Sequence, residues 1–153
     1  MKIAIIGSGM SAITLAKNLT NDNSITLFEK SKSVGGRVST RRSESYEFDH
    51  GAQFFTAKSR DFKNFIAPVI KKNIIQRWDA RFAEFKNNKI LRQHTWDSEY
   101  PHYVGVPGMN NILKYLSTDL NIILNCEIQN ISKDKNDRWN LFNINGENLG
   151  DYD

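Results

Sequence analysis

Lys2 to Ile6 is almost wholly apolar and rich in β-branched residues, with no alternation between faces. That is the pattern of a parallel strand covered on both sides, and a central place in a sheet is expected for it. Gly7-Ser8-Gly9 breaks the run, and Met10 to Leu19 follows with Ala12, Ile13, Ala16 and Leu19 on one face, which predicts a helix. After a turn at Asn21-Asp22-Asn23, Ser24 to Glu29 reads as a second strand. The three elements make a β-α-β unit of about 30 residues, expected to be right-handed.

Beyond a glycine-containing loop at residues 31–37, Phe62, Phe65, Ile66, Val69 and Ile70 recur at helical spacing, which predicts an amphipathic helix from Asp61 to Lys72, kinked at Pro68. Ile74 to Trp78, Arg81 to Phe85 and Lys89 to Arg92 alternate around Asn87-Asn88 and predict short antiparallel strands apart from the parallel sheet. Tyr103 to Gly108 reads as a loop, and Met109, Ile112, Leu113 and Leu116 as a helix. Asn121 to Leu124, extending through Ile128 to Ile131, reads as one strand region, and Trp139 to Ile144 with Asn145-Gly146 as a polar hairpin.

Composition acts mainly by exclusion. The chain of 153 residues has the length of one ordinary domain. No run approaches the ~20 apolar residues of a membrane span, so no membrane partner is expected. Lys and Arg number 21 against 17 Asp and Glu, for a net charge of +4. The basic residues are dispersed, and the one compact cluster, Arg37, Arg41 and Arg42, suits a phosphate-bearing small molecule better than nucleic acid, which is not expected as a partner. Cys126 is the single cysteine and is read as an inert buried thiol. Gly7 and Gly9 interrupt the apolar start too early for a signal peptide, so a cytoplasmic location is expected. His50, His94 and His102 lack metal-ligand spacing, and no metal is expected. Trp78, Trp96 and Trp139 are read as core or subdomain packing.

The chemistry-bearing residues begin with Gly7-x-Gly9-x-x-Ala12 between strand and helix. Here glycine allows a tight turn and lets backbone N–H groups, including those of Met10 and Ser11, approach a pyrophosphate at the positive helix end. Glu29 ends the second strand twenty positions after Gly9, where a carboxylate reaches the ribose hydroxyls of an adenosine, with Lys30 beside it. A second glycine pair follows in Gly35-Gly36-Arg37, with Thr40 shortly after, combining close backbone approach with a guanidinium fork for phosphate. Together these motifs resemble the dinucleotide-binding start of FAD-dependent amine-oxidase-like flavoproteins, and FAD is favoured over NAD as the held cofactor.

Two further stretches, Phe48-Asp49-His50-Gly51-Ala52-Gln53-Phe54-Phe55-Thr56-Ala57 and Tyr103-Val104-Gly105-Val106-Pro107-Gly108-Met109, narrow the resemblance to the bacterial renalase-like flavoproteins. That resemblance implies an α/β fold: a Rossmann-like FAD/NAD(P)-binding domain with an incomplete parallel sheet and an inserted antiparallel β/helical subdomain. The expected division is 1–57 for the FAD-binding β-α-β and glycine-pair segment, 58–105 for the insertion, and 106–153 for the return, ending before the final strands. It further implies that Gly51, Ala52, Gln53 and Phe54 lie beside the flavin ring, with Gln53 positioning flavin or substrate, and that the strand carrying Ile128 serves adenine. The implied reaction passes hydride from a reduced dihydronicotinamide-type or amine substrate to flavin and then to O2. A second reading is a non-catalytic dinucleotide-binding fragment that needs a complementing chain.

Overall fold

A computed structural model of the chain describes residues 1–96 and 99–153. The β-α-β unit is present as β1 (Lys2–Ile6), α1 (Met10–Leu19) and β2 (Ser24–Phe28), with β1 and β2 parallel and Lys2 opposite Ser24. Helix α1 buries Ile13 and Ala16 completely, the apolar face that the spacing predicts. Contacts divide the chain into two compact units, Met1–Ser39 with Leu113–Asp153, and Thr40–Ile112.

In the first unit, a 3-10 turn covers Gly36–Val38. The strand expected to be central is instead at one side of its three-stranded sheet, and β2 holds the middle. On the far side of β2 lies β10 (Ile122–Ile123), also parallel, where Leu27 N–H donates to Asn121 and Glu29 N–H to Ile123, each at 2.9 Å. The stretch read as one strand from 121 to 131 is two strands in two sheets. Asn125 takes φ +52° and donates to the Ser31 carbonyl, and Cys126 N–H donates to Glu29, so the chain turns off the parallel sheet there.

It then enters β11 (Ile128–Lys133), which pairs antiparallel with β12 (Trp139–Asn143), itself paired with β13 (Asn148–Tyr152). Phe28, Cys126, Leu141 and Tyr152 form a shared core between these sheets, with Phe28 and Tyr152 edge to face at 6.0 Å. This cluster fastens the tip of β2, and so Glu29, to the second sheet.

The second unit opens with a hairpin that periodicity did not predict, β3 (Thr40–Ser43) with β4 (Tyr46–Asp49), turning at Glu44 with φ +51°. Helix α2 (Arg60–Lys71) starts where Ser59 Oγ accepts from Phe62 N–H, buries Ile66 and Val69, and contains Pro68. β5 (Phe55–Thr56), β6 (Ile75–Arg77) and β9 (His102–Gly105) form an antiparallel sheet in the order β5-β9-β6, while β7 (Arg81–Lys86) and β8 (Lys89–Thr95) form a separate hairpin. The expected loop at 103–105 is thus strand. Its Gly105 lies so close to the following turn that a Cβ would stand 2.6 Å from the Gly108 carbonyl oxygen, which explains a glycine inside a strand. Helix α3 (Asn110–Leu116) spans the division between the units.

Candidate functional site

Ser8, fully buried between its two glycines, organises the first unit's site. Its N–H and its hydroxyl both donate to Glu29 Oε2, at 2.8 and 2.7 Å, while Ser31 N–H donates to Oε1 at 2.9 Å. The Ser8 carbonyl accepts from Gly35 N–H at 3.3 Å, and Gly7 N–H donates to Phe28 at 2.7 Å. A Cβ on Gly36, where φ is +52°, would stand 3.3 Å from Gly9 Cα. The glycine turn, the strand-end carboxylate and the second glycine pair are therefore one constellation, joined through a serine that the motif reading left as a spacer.

The electrostatics of this constellation favour an ionised Glu29. Burial opposes its charge, but the hydrogen bonds from Ser8 and Ser31 outweigh that effect and hold the carboxyl below its ordinary value. With 7% of its surface exposed, Glu29 spends most of its acceptor capacity on bracing the turn.

Helix α1 has Gly9 as its N-cap, with no side-chain cap and no acidic residue in its first turn. The N–H groups of Met10, Ser11 and Ala12 consequently lack intrahelical acceptors, because the first such bond runs from Ile13 to Gly9. Nothing lies within 4 Å of a Cβ placed on Gly7 or Gly9, so the turn is open on the side a ligand would approach. Lys30 and Arg37 are exposed, and Ile128 is half-buried beside the Phe28 core. An open glycine turn, an uncapped helix start and exposed cations form a donor set that fits the pyrophosphate of a dinucleotide.

Thr40, Gly51, Ala52, Gln53 and Phe54 belong to the second unit. Thr40 is held in a polar latch: its hydroxyl donates to Asp49 Oδ1 at 2.5 Å and accepts from Asn110 N–H at 3.2 Å, and Asp49 Oδ1 also accepts from Met109 N–H at 3.0 Å. Gly108 sits against this latch, with a Cβ position 2.7 Å from Thr40 Oγ1. Residues 51–54 form the exposed link between β4 and β5. Gln53 lines a cavity of about 360 Å3 with Glu47, Phe48, Asp49, Trp78 and Val104. Nearby, Phe54, Trp78, Trp96 and His102 form a chain of ring contacts, in which Trp96 and His102 stack at 3.7 Å. Trp78 and Trp139 are 41% and 43% exposed, so neither is a core residue, while Trp78 packs within the subdomain on Phe54 and Trp96.

Comparisons with known proteins bear on the fold. Residues 5–68 match the family model of an NAD(P)-binding Rossmann-like domain. A 4,4'-diapophytoene desaturase of Staphylococcus haemolyticus is 28% identical over 98 residues, covering 63% of this chain and 17% of that protein. The Staphylococcus aureus (strain Newman) enzyme of the same name is 30% identical over 77 residues, covering 43% and 15%. Among solved structures, a tetracycline destructase superposes with a TM-score of 0.69 at 15% identity, covering 99% of this chain and 36% of that one. A Photorhabdus luminescens protein described as an FAD-containing monooxygenase gives 0.62 at 14% identity, covering 100% and 38%. The chain thus spans about one sixth of the length of the curated relatives it matches.

Fold and glycine-turn geometry define an α/β protein of the FAD/NAD(P)-binding Rossmann class. More narrowly, the similarity to a known family model is to an NAD(P)-binding Rossmann-like domain and extends over residues 5–68.

Proposed function

We propose that the chain is the cofactor-binding part of an FAD-dependent oxidoreductase of the renalase or amine-oxidase type, acting on a reduced dihydronicotinamide-type or amine substrate with O2 as final acceptor. The observation that carries the cofactor reading is the junction at Ser8, which gathers the turn at 7–9, Glu29 and Gly35-Gly36 into one place. In this reading the N–H groups of Gly9, Met10, Ser11 and Ala12 receive the pyrophosphate, Arg37 adds a charge-assisted contact, and Glu29 accepts from a ribose hydroxyl while bracing the turn. Lys30 screens phosphate charge at the rim, and the backbone at Ile128 flanks the adenine. When bound, flavin supplies the two-electron redox chemistry, so the protein's task is to bind, orient and tune it.

Thr40, Gly51, Ala52 and Phe54 are assigned to the flavin-ring end on motif grounds, and Gln53 to positioning of flavin or substrate. The amide of Gln53 offers both a donor and an acceptor for that purpose.

Equilibrium dialysis of the 153-residue chain against FAD tests the cofactor assignment. Saturable binding with a flavin spectrum, weakened in a Gly9→Val variant, is the expected result; a folded chain that retains no FAD overturns it. Reduction of the bound flavin by a dihydronicotinamide donor separates the oxidoreductase from the second reading, a non-catalytic fragment completed by another chain. That second reading is favoured by the outer backbone edge of β1, which among the described residues is hydrogen-bonded only at Lys2, whose carbonyl accepts from Asp153 N–H at 2.9 Å and whose N–H donates to Asp153 Oδ2 at 2.6 Å.

A further inference from the structure

The hairpin of β7 and β8 carries none of the residues assigned to the nucleotide site. Every residue from Arg81 to Thr95 is exposed except Phe82, which packs on His94 and Trp96. Near the turn at Asn87-Asn88, Phe85, Ile90 and Leu91 are 68%, 51% and 62% exposed. Phe85 and Ile90 are cross-strand partners, and the register shift beside them leaves Leu91 as the extra residue of a bulge. Lys86 pairs with Lys89 and Glu84 with Arg92, so strand alternation puts these polar pairs on the ribbon face opposite Phe85 and Ile90. Arg81, Lys86, Lys89 and Arg92 make no ion pair among the described residues.

We propose that this hairpin tip is a docking element for an anionic lipid surface, with Phe85, Ile90 and Leu91 in the boundary between headgroups and acyl chains and the flanking cations reaching the headgroups. Three adjoining aliphatic and aromatic side chains left in water are an unusual cost for a hairpin end, and a lipid boundary removes it. Four cations against one carboxylate over residues 81–95 select a negative surface. Lys86 and Lys89 have stems long enough to stay with the headgroups while their neighbours are buried. A second copy of the ribbon would cover Phe85 and Ile90 but offers the cations no negative partner, whereas an anionic lipid surface offers both. Nucleic acid matches the charge but gives Ile90 and Leu91 nothing to bury against. Among the described residues, no helix is long and apolar enough to cross a membrane. The expectation of no membrane partner rested on such a span, and attachment at a lipid surface requires none.

The test is vesicle co-sedimentation of the full chain, using phosphatidylcholine vesicles with and without about one-third phosphatidylserine. Binding is expected only with phosphatidylserine and is expected to fall as salt rises. A Lys86→Gln/Lys89→Gln variant should partition about 30-fold more weakly, fivefold or so for each lysine near the surface. A Phe85→Ser/Leu91→Ser variant, which keeps every charge, should also lose binding. These side chains are exposed, so circular dichroism should show an unchanged fold, and a variant that unfolds is replaced by Ile90→Ser alone. No binding at low salt, binding indifferent to the serine variants, or a vesicle-independent dimer that the serine variants abolish would each overturn the proposal.

Discussion

Glu29→Ala is the perturbation with the clearest consequence, because this carboxylate is the acceptor for three donors from two loops. Ser8 N–H and the Ser8 hydroxyl are fully buried, whereas Ser31 is exposed enough for water to replace the lost partner. Leaving a buried donor unsatisfied costs about 1–3 kcal/mol, and the hydroxyl can recover part of that by rotation, so a loss of about 2–4 kcal/mol is expected. At this chain length that is a fall of about 4–16 °C in Tm. Urea denaturation followed by circular dichroism reads the free energy directly. Ser8→Ala removes only the hydroxyl, and a double-mutant cycle with Glu29→Ala should return a coupling of about 1 kcal/mol. A pH series adds an independent check. The folded carboxyl is held below its unfolded value near 4.5, so its stabilisation is complete above that value and is lost as pH falls through the folded one. The gap between wild type and Glu29→Gln should therefore close in acid. Stability of Glu29→Ala within 0.5 kcal/mol of wild type, a scale on which ordinary surface changes fall, would refute the reasoning.

Gly36→Ala places a Cβ at 3.3 Å from Gly9 Cα in a left-handed conformation, and denaturant titration should show a loss of about 1–2 kcal/mol, with weaker FAD retention in the same dialysis. Asp49→Ala strips the acceptor from Thr40 and from the buried Met109 N–H; a cost of about 2–3 kcal/mol and faster hydrogen exchange at Met109 are expected, and unchanged exchange would count against the latch. Burial, with a smaller contribution from the Glu147 charge, pushes the Cys126 thiol up, so thiol-reagent labelling near pH 8 should proceed at the rate of unfolding; immediate labelling of the folded chain would contradict its burial.

The features legible from sequence are those that short-range pattern determines. The unbroken apolar run of β1, the small-residue face of α1 and the spacing to Glu29 lie within one β-α-β unit, where periodicity and glycine positions are sufficient. Sheet position is different: whether β1 or β2 is central depends on where Ile122 and Ile123 return, nearly a hundred residues later, and no local pattern encodes that. The β3–β4 hairpin escaped because Thr40 to Asp49 is mostly polar and exposed on both faces, so it carries little alternation. β9 was hidden by Gly105 and Pro107, which signal a loop, although the first is there for close packing against Gly108 and Met109. Ser8 was the residue missed at the site. A small hydroxyl between two turn glycines was a usable signal, since a buried strand-end carboxylate needs a nearby donor.

The bracing of Glu29 also bears on ligand choice. A carboxylate free in solvent could reorient or take up a proton to admit a negatively charged group, but this one is fixed by Ser8 and Ser31 and kept ionised by them. In the proposed complex, a plain ribose hydroxyl can donate to it, whereas a 2′-phosphate would meet a fixed negative charge in a partly desolvated place. Competition against bound FAD should therefore find ADP effective and 2′-phospho-ADP much weaker, with Glu29→Gln narrowing the difference. Equal competition by the two nucleotides in the wild-type chain would mean that Glu29 braces the turn without facing the ribose, which would confine its role to the stability measured for Glu29→Ala.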